Sequence, residues 1–213
     1  MELPQTRRAG DLGGRGGHAL NRGLDVAIAG VSLAIATPFL AAAAIAIKLE
    51  DGGPVLYRQT RVGLHGEDFE LLKLRTMVVG AETMGAGHAV NRGDSRITRA
   101  GKILRRLSID ELPQLWNVIR GEMSVIGPRP TLRYQVDRYD ERQLHRLGVK
   151  PGLTGWAQIH GRAQLPWADR IELDLWYVEH RSPEVDLRIL LRTPLALFGG
   201  TYKGETGGWK PSD

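Results

Sequence analysis

The chain has 213 residues, with 29 Lys and Arg against 24 Asp and Glu, a net charge of +5 and no cysteine. That length allows one domain beyond a membrane segment, and the missing thiols exclude disulfides and thiolate metal sites. A single long apolar run excludes a multi-span channel or transporter, while the basic balance suits an anionic membrane surface, a phosphorylated substrate or nucleic acid.

Residues 1–20 are rich in Gly and Arg, show no apolar period and read as a flexible N-terminus. Residues 21–50 read as a membrane anchor, because Val26 to Ile47 carries no charge and has Thr37-Pro38 near its centre. A straight helix of that run just crosses a hydrocarbon core of about 30 Å. Arg7, Arg8, Arg15 and Arg22 precede it, and Lys48, Arg58 and Arg61 follow. Both flanks therefore favour the cytoplasmic side, as expected of a segment that turns inside the bilayer. Pro38 removes a backbone donor, and the Thr37 hydroxyl can bond a freed carbonyl. A single spanning helix kinked at Pro38 stands as the alternative.

Residues 51–198 read as the catalytic domain. Val55–Gln59 and Phe69–Leu74 are predicted strands around a Gly63-Leu64-His65-Gly66 turn, and Gly80–Asp94 is a predicted loop. Thr98–Leu107 is a short basic amphipathic helix, suited to lying in the membrane plane or to covering a core. A helix after Asp110 stops at Gly121, and Leu132–Leu147 reads as a charged helix. Trp167–His180 and Asp186–Leu197 are further helices, the second interrupted by Pro194, and 199–213 is a Gly-rich flexible tail. The predicted fold class is α+β and mainly helical, with a membrane helix-break-helix, amphipathic interfacial helices and a small β-hairpin.

Ser108-Ile109-Asp110-Glu111-Leu112-Pro113-Gln114 concentrates the chemistry. Ser108 and Glu111 match a capping box, which is one reading. Carboxylates at a helix start also feel the positive end of its dipole and stay ionised; an ionised Asp110 can attack phosphorus, and Glu111 can hold Mg²⁺ through oxygen. In Gly127-Pro128-Arg129-Pro130 the prolines stiffen the backbone that presents Arg129, whose planar guanidinium suits a phosphate. Alternation places Lys73 and Arg75 on one face, where they could meet an anion together. Arg96 closes the long loop, and Gln158 and Arg162 sit among turn residues further on. His160 and His180 have no second ligand at helical spacing, so metal binding is not expected of them.

Taken in order, these segments resemble the bacterial sugar transferases, the monotopic polyprenyl-phosphate phosphoglycosyl transferases. The resemblance runs from about Asn21 to Phe198. It rests on Arg22-Gly23-Leu24-Asp25, Thr37-Pro38, Lys73-Leu74-Arg75-Thr76-Met77, Asp94-Ser95-Arg96-Ile97-Thr98, Asp110 to Gln114, Gly127 to Pro130, and Lys150-Pro151-Gly152 through Gln158. The family often has Ser where Thr37 stands, and Phe where Leu74 stands. The resemblance implies a minimal catalytic form, without the extra spanning helices of larger relatives. It also implies a re-entrant anchor at the cytoplasmic face of the bacterial inner membrane.

The implied reaction moves a sugar-1-phosphate from a UDP-sugar to polyprenyl phosphate and releases UMP. Asp110 would be the nucleophile and Glu111 the Mg²⁺ ligand. Lys73, Arg75, Arg96, Arg129, Gln158 and Arg162 are the candidates for substrate phosphate. Membrane lipid is an implied partner, nucleic acid is not, and a homo-oligomer stays open. Two rivals remain: a membrane glycosyltransferase releasing UDP, and a non-catalytic basic scaffold at the membrane or a nucleic-acid binder.

Overall fold

The computed structural model describes residues 15–84, 93–161 and 165–198. Residues 1–14 of the expected flexible N-terminus 1–20, the expected tail 199–213 and Arg162 lie outside those residues; 15–20 are helical instead, since the helix begins at Arg15, ahead of the expected anchor boundary. Helix α1 (Arg15–Asp51) has 37 residues, about 55 Å if straight. It is the one helix among the described residues long and apolar enough to cross a membrane. The helix runs unbroken through Pro38, so the expected interruption is not a gap in it. The Thr37 hydroxyl does bond backward, to the Leu33 carbonyl at 2.8 Å, one residue before the carbonyl that Pro38 deprives of a donor.

Strands β1 (Leu56–Val62) and β2 (Asp68–Leu74) form the expected antiparallel hairpin, with Leu56 opposite Leu74 and Val62 opposite Asp68. Helix α2 (Arg99–Arg106) is capped by the Thr98 side chain, and α3 (Gln114–Arg120) ends at Gly121 in the left-handed region. Strand β3 (Ser124–Ile126) pairs in parallel with β4 (Gly152–Thr154), a sheet of three-residue strands that the sequence did not reveal. Gly127 and Gly152 make that pairing possible: a Cβ on Gly152 would stand 2.0 Å from the Gly127 nitrogen.

The expected long charged helix over 132–147 is instead two short pieces, α4 (Arg133–Val136) and α5 (Glu141–Leu144), followed by a 3₁₀ turn. Asp140 restarts the chain as a new N-cap. Its carboxylate accepts from the Gln143 amide at 2.7 Å, while the Gln143 side chain accepts from the Asp140 amide. Helices α6 (Trp156–Ile159), α7 (Trp167–His180) and α8 (Pro183–Phe198) complete the body. Helix α8 starts earlier than expected and continues through Pro194.

Both ends of α1 are tied to this body. Arg22 donates to the Val118 and Ile119 carbonyls that end α3, and Asp25 accepts from Ser124 Oγ and the Val125 amide. At the other end Glu50 accepts from the Arg99 and Ala100 amides of α2, and Asp51 pairs with Arg75. Between these ties, Ala29 shares a core with Leu71, Leu115, Val118, Met123 and Val125, and Ala43 and Ile47 share another with Leu74 and Leu104. Val31, Ile35, Phe39 and Ile45 on the rest of α1 are all more than half exposed.

Candidate active site

The carboxylates lie in a one-turn 3₁₀ segment, Ile109–Glu111, between α2 and α3. Ser108 enters it with φ of 55° and makes no side-chain cap, so the expected capping box is not formed. Helix α3 begins only at Gln114, so its dipole is not what sets the charge of the pair. The direction of the chain at Ser108 buries Asp110 and leaves Glu111 facing cations brought from elsewhere.

Glu111 Oε1 accepts from Lys73 Nζ at 3.2 Å, near the end of β2. Arg129 reaches the same carboxylate with both terminal nitrogens, Nη1 to Oε2 at 3.4 Å and Nη2 to Oε1. Burial pushes the Glu111 acid upward, but Arg129 and Lys73 outweigh it and hold the group below the usual carboxylate range. Burial lowers the proton affinity of Lys73, against the pull of Glu111.

Asp110 is the opposite case. It is only 5% exposed, and among the described residues none donates a hydrogen bond to its carboxylate. Burial and the Glu111 charge push its acid upward, opposed by Lys73, Arg105 and Arg129. The expectation that the dipole keeps Asp110 ionised therefore needs correction: only neighbouring cations favour the anion. A carboxylate with few donors and a raised proton affinity is a stronger nucleophile than a solvated one, provided it is ionised.

Of the sequence candidates, Lys73, Asp110, Glu111 and Arg129 come together. Arg75 is drawn to α1, donating to Asp51 Oδ2 at 2.8 Å and to the Pro54 carbonyl at 2.7 Å. The strand ends at Leu74, so alternation no longer governs Arg75. Arg96 grips Asp94 at 2.9 and 2.6 Å and the Ala81 and Met84 carbonyls at 2.8 Å, closing the long loop on itself. Gln158 is buried on α6, where neither polar atom of its side chain has a partner among the described residues. His160 lies tilted against Trp156, and His180 stacks on Trp176.

Sequence reasoning missed Arg61 and Arg105. Arg61 feels both Arg129 and Glu111, its proton affinity pushed down to about 10 by burial and by Arg129. Arg105 donates to Thr76 Oγ1 at 2.9 Å and faces Asp110 electrostatically. The site is thus two carboxylates under a canopy of cations, an arrangement that can neutralise a diphosphate.

For a metal, the described residues contain no group of three acidic or His side chains. Mg²⁺ commonly takes one or two protein carboxylates and completes its shell with phosphate oxygens and water, so the oxygen donors of this dyad fit that ion.

The model for bacterial sugar transferases matches residues 17–200. A UDP-glucose:undecaprenyl-phosphate glucose-1-phosphate transferase of Caulobacter vibrioides is 47% identical over 185 residues, covering 83% of this chain and 69% of the relative. The exopolysaccharide production protein ExoY of Rhizobium meliloti is 39% identical over 202 residues, 87% of this chain and 89% of that one. A UDP-N-acetylgalactosamine-undecaprenyl-phosphate N-acetylgalactosaminephosphotransferase of Aeromonas hydrophila is 41% identical over 187 residues, 85% of this chain but 44% of its own length. With the family model spanning most of the chain and the carboxylate–cation site lying inside the matched residues, this chain belongs to the bacterial sugar transferase family.

Proposed function

We propose that this protein transfers a sugar-1-phosphate from a UDP-sugar to a polyprenyl phosphate, undecaprenyl phosphate by the relatives' names, and releases UMP. This is the opening membrane step of polysaccharide or glycoconjugate assembly. The observation that carries the reading is the buried, donor-poor Asp110 beside a Glu111 gripped by Lys73 and Arg129. An Asp110 oxygen attacks the sugar-bearing phosphorus, and the phosphorus–oxygen bond to UMP breaks. An oxygen of polyprenyl phosphate then attacks the same phosphorus and frees the Asp110 carboxylate, leaving the sugar on a polyprenyl diphosphate. No net proton is required, because each displacement exchanges one oxyanion for another.

Lys73 and Arg129 hold Glu111 before substrate arrives, and a diphosphate offers those cations a further set of oxygens. The Arg129 side chain is 47% exposed, so its guanidinium can be reached by an arriving diphosphate. Glu111 would hold Mg²⁺, which supplies positive charge to the diphosphate when bound.

A lipid acceptor requires the site to lie at a membrane, and α1 supplies the anchor. We place both its ends on the cytoplasmic face, since Arg22 and Asp25 at one end and Glu50 and Asp51 at the other all bond to one body. Ala29 and Ala43 would stand about 21 Å apart on a straight helix. They enter two cores of the same body, one shared with Leu71 and the other with Leu74 of β2, and Pro38 between them is the place for a bend.

The test is mass spectrometry of protein incubated with a UDP-sugar and no lipid acceptor. An adduct of sugar-phosphate mass on the peptide containing Asp110, absent from Asp110→Asn, supports the covalent route. UMP release at wild-type rate by Asp110→Asn would sink it, and release of UDP instead of UMP would favour a glycosyltransferase.

A further inference from the structure

Pro128 and Pro130 strip two backbone donors from the loop that carries Arg129, yet four consecutive carbonyls there receive hydrogen bonds from other elements. The Pro128 carbonyl accepts from the Gly152 amide at 2.8 Å, and the Thr131 carbonyl from the Val62 amide at 2.9 Å. Between them, the Arg129 carbonyl accepts from Arg146 Nη2 at 2.6 Å and the Pro130 carbonyl from Arg61 Nη1 at 3.0 Å. The two central donors are guanidiniums, one from β1 and one from the 3₁₀ turn that follows α5.

Each guanidinium is itself immobilised. Arg146 is 5% exposed; its Nε donates to Asp174 Oδ2 at 2.7 Å, and its Nη1 donates to Tyr139 Oη at 3.0 Å and Thr131 Oγ1 at 3.3 Å. Asp174, on α7, is 2% exposed. Arg61 gives Nε and Nη2 to Gln59 Oε1 at 3.0 and 2.6 Å. Burying an ion pair such as Arg146–Asp174 contributes little net stability compared with an apolar pair, so its use here calls for another purpose. A fixed donor aimed at one carbonyl is something no apolar pair can provide.

We propose that Arg146, held by Asp174, and Arg61 are positioning residues that clamp the Arg129 and Pro130 carbonyls and so aim the Arg129 side chain at substrate phosphate. The proposal rests on the reading that Arg129 binds that phosphate. Neither guanidinium hydrogen-bonds Asp110 or Glu111; the charge of Arg61 is also felt at Glu111, and the part of its effect that depends on Arg129 is the clamp. A displacement of about 1 Å at a phosphate-binding group is enough to lose on the order of 10²-fold in function.

The experiment is a double-mutant cycle on the full chain in lipid nanodiscs, with UDP as the probe. Its Kd is measured for Arg146→Lys and Arg61→Lys, each in the parent and in Arg129→Ala, with Tm followed in parallel. Both lysine variants keep the charge but lose the planar fork. Each should weaken UDP about tenfold in the parent and less than about twofold in Arg129→Ala, because the clamp has nothing left to aim. Equal weakening in both backgrounds would overturn the clamp while leaving Arg129 as a phosphate ligand. An Arg129→Ala that binds UDP as the parent does would overturn the Arg129 reading, and the clamp with it. Should Arg146→Lys fail to fold, the part-buried Arg61→Lys decides the matter alone.

Discussion

Asn117 joins the two halves of the candidate site. It is fully buried on α3, with Oδ1 accepting from the Leu72 amide at 3.0 Å and Nδ2 donating to the Glu70 carbonyl at 2.7 Å and to Glu122 Oε2 at 2.7 Å. Strand β2 pairs with β1 on one side only, so its other edge relies on this side chain. Lys73 follows Leu72 on that strand, and the Asp110–Glu111 turn leads directly into α3. Asn117→Ala strands one amide and one carbonyl inside the protein, at about 1–3 kcal/mol each, while part-exposed Glu122 recovers water. A total of about 2–6 kcal/mol, at about 2–4 °C per kcal/mol for a chain of this size, lowers Tm by about 4–24 °C. Thermal unfolding in nanodiscs measures the shift, and faster hydrogen exchange at the Leu72 amide locates it. Asn117→Asp preserves volume and the Leu72 bond but turns an acceptor toward Glu70 and Glu122. It should be at least as destabilising, which separates hydrogen bonding from packing. A Tm within about 2 °C of wild type for the alanine variant would refute the reasoning.

Arg129→Lys retains charge on a half-exposed side chain but loses the bidentate fork; turnover should fall about tenfold or more while Tm stays nearly constant, and matched losses of both would point to a structural role. Asp110→Asn should raise Tm at neutral pH. Burial and Glu111 lift the wild-type acid, so as pH rises the unfolded chain ionises first and wild type loses stability that asparagine keeps; the difference should vanish below about pH 4, and a pH-independent shift would contradict it. Glu111→Gln removes both the anion that Lys73 and Arg129 grip and the expected metal ligand, so activity should fall and partly return at high Mg²⁺; no dependence on Mg²⁺ at any concentration would remove the metal from the scheme. Single cysteines at Gly23 and Leu49 in this cysteine-free chain should both resist impermeant thiol reagents in intact cells and react once membranes are opened; labelling of one alone from outside would establish a spanning helix.

Much of the site could be read from local sequence, because its parts come in short segments whose chemistry needs no partner to be recognised. The adjacent acids at Asp110-Glu111, the proline-braced Arg129 and the strand-borne Lys73 are of this kind, as are the hairpin and helix α2. What escaped depends on residues far apart in the chain. Arg146 and Asp174 look like solvated charges on charged helices until folding buries them together under Arg129. The β3–β4 pair is too short for any periodicity, and the 132–147 stretch hid the restart at Asp140 behind helix-forming residues. Ser108 and Glu111 satisfied a capping pattern that left-handed geometry at Ser108 forbids. Likewise Arg75, identical in chemistry to Arg129, was drawn to Asp51 at the end of α1. By itself the sequence determined which groups could do the chemistry and that one segment prefers lipid. Only the tertiary structure decided which cations face Glu111 and where the two ends of α1 go, because a charge takes its role from the partners that folding brings within hydrogen-bond reach.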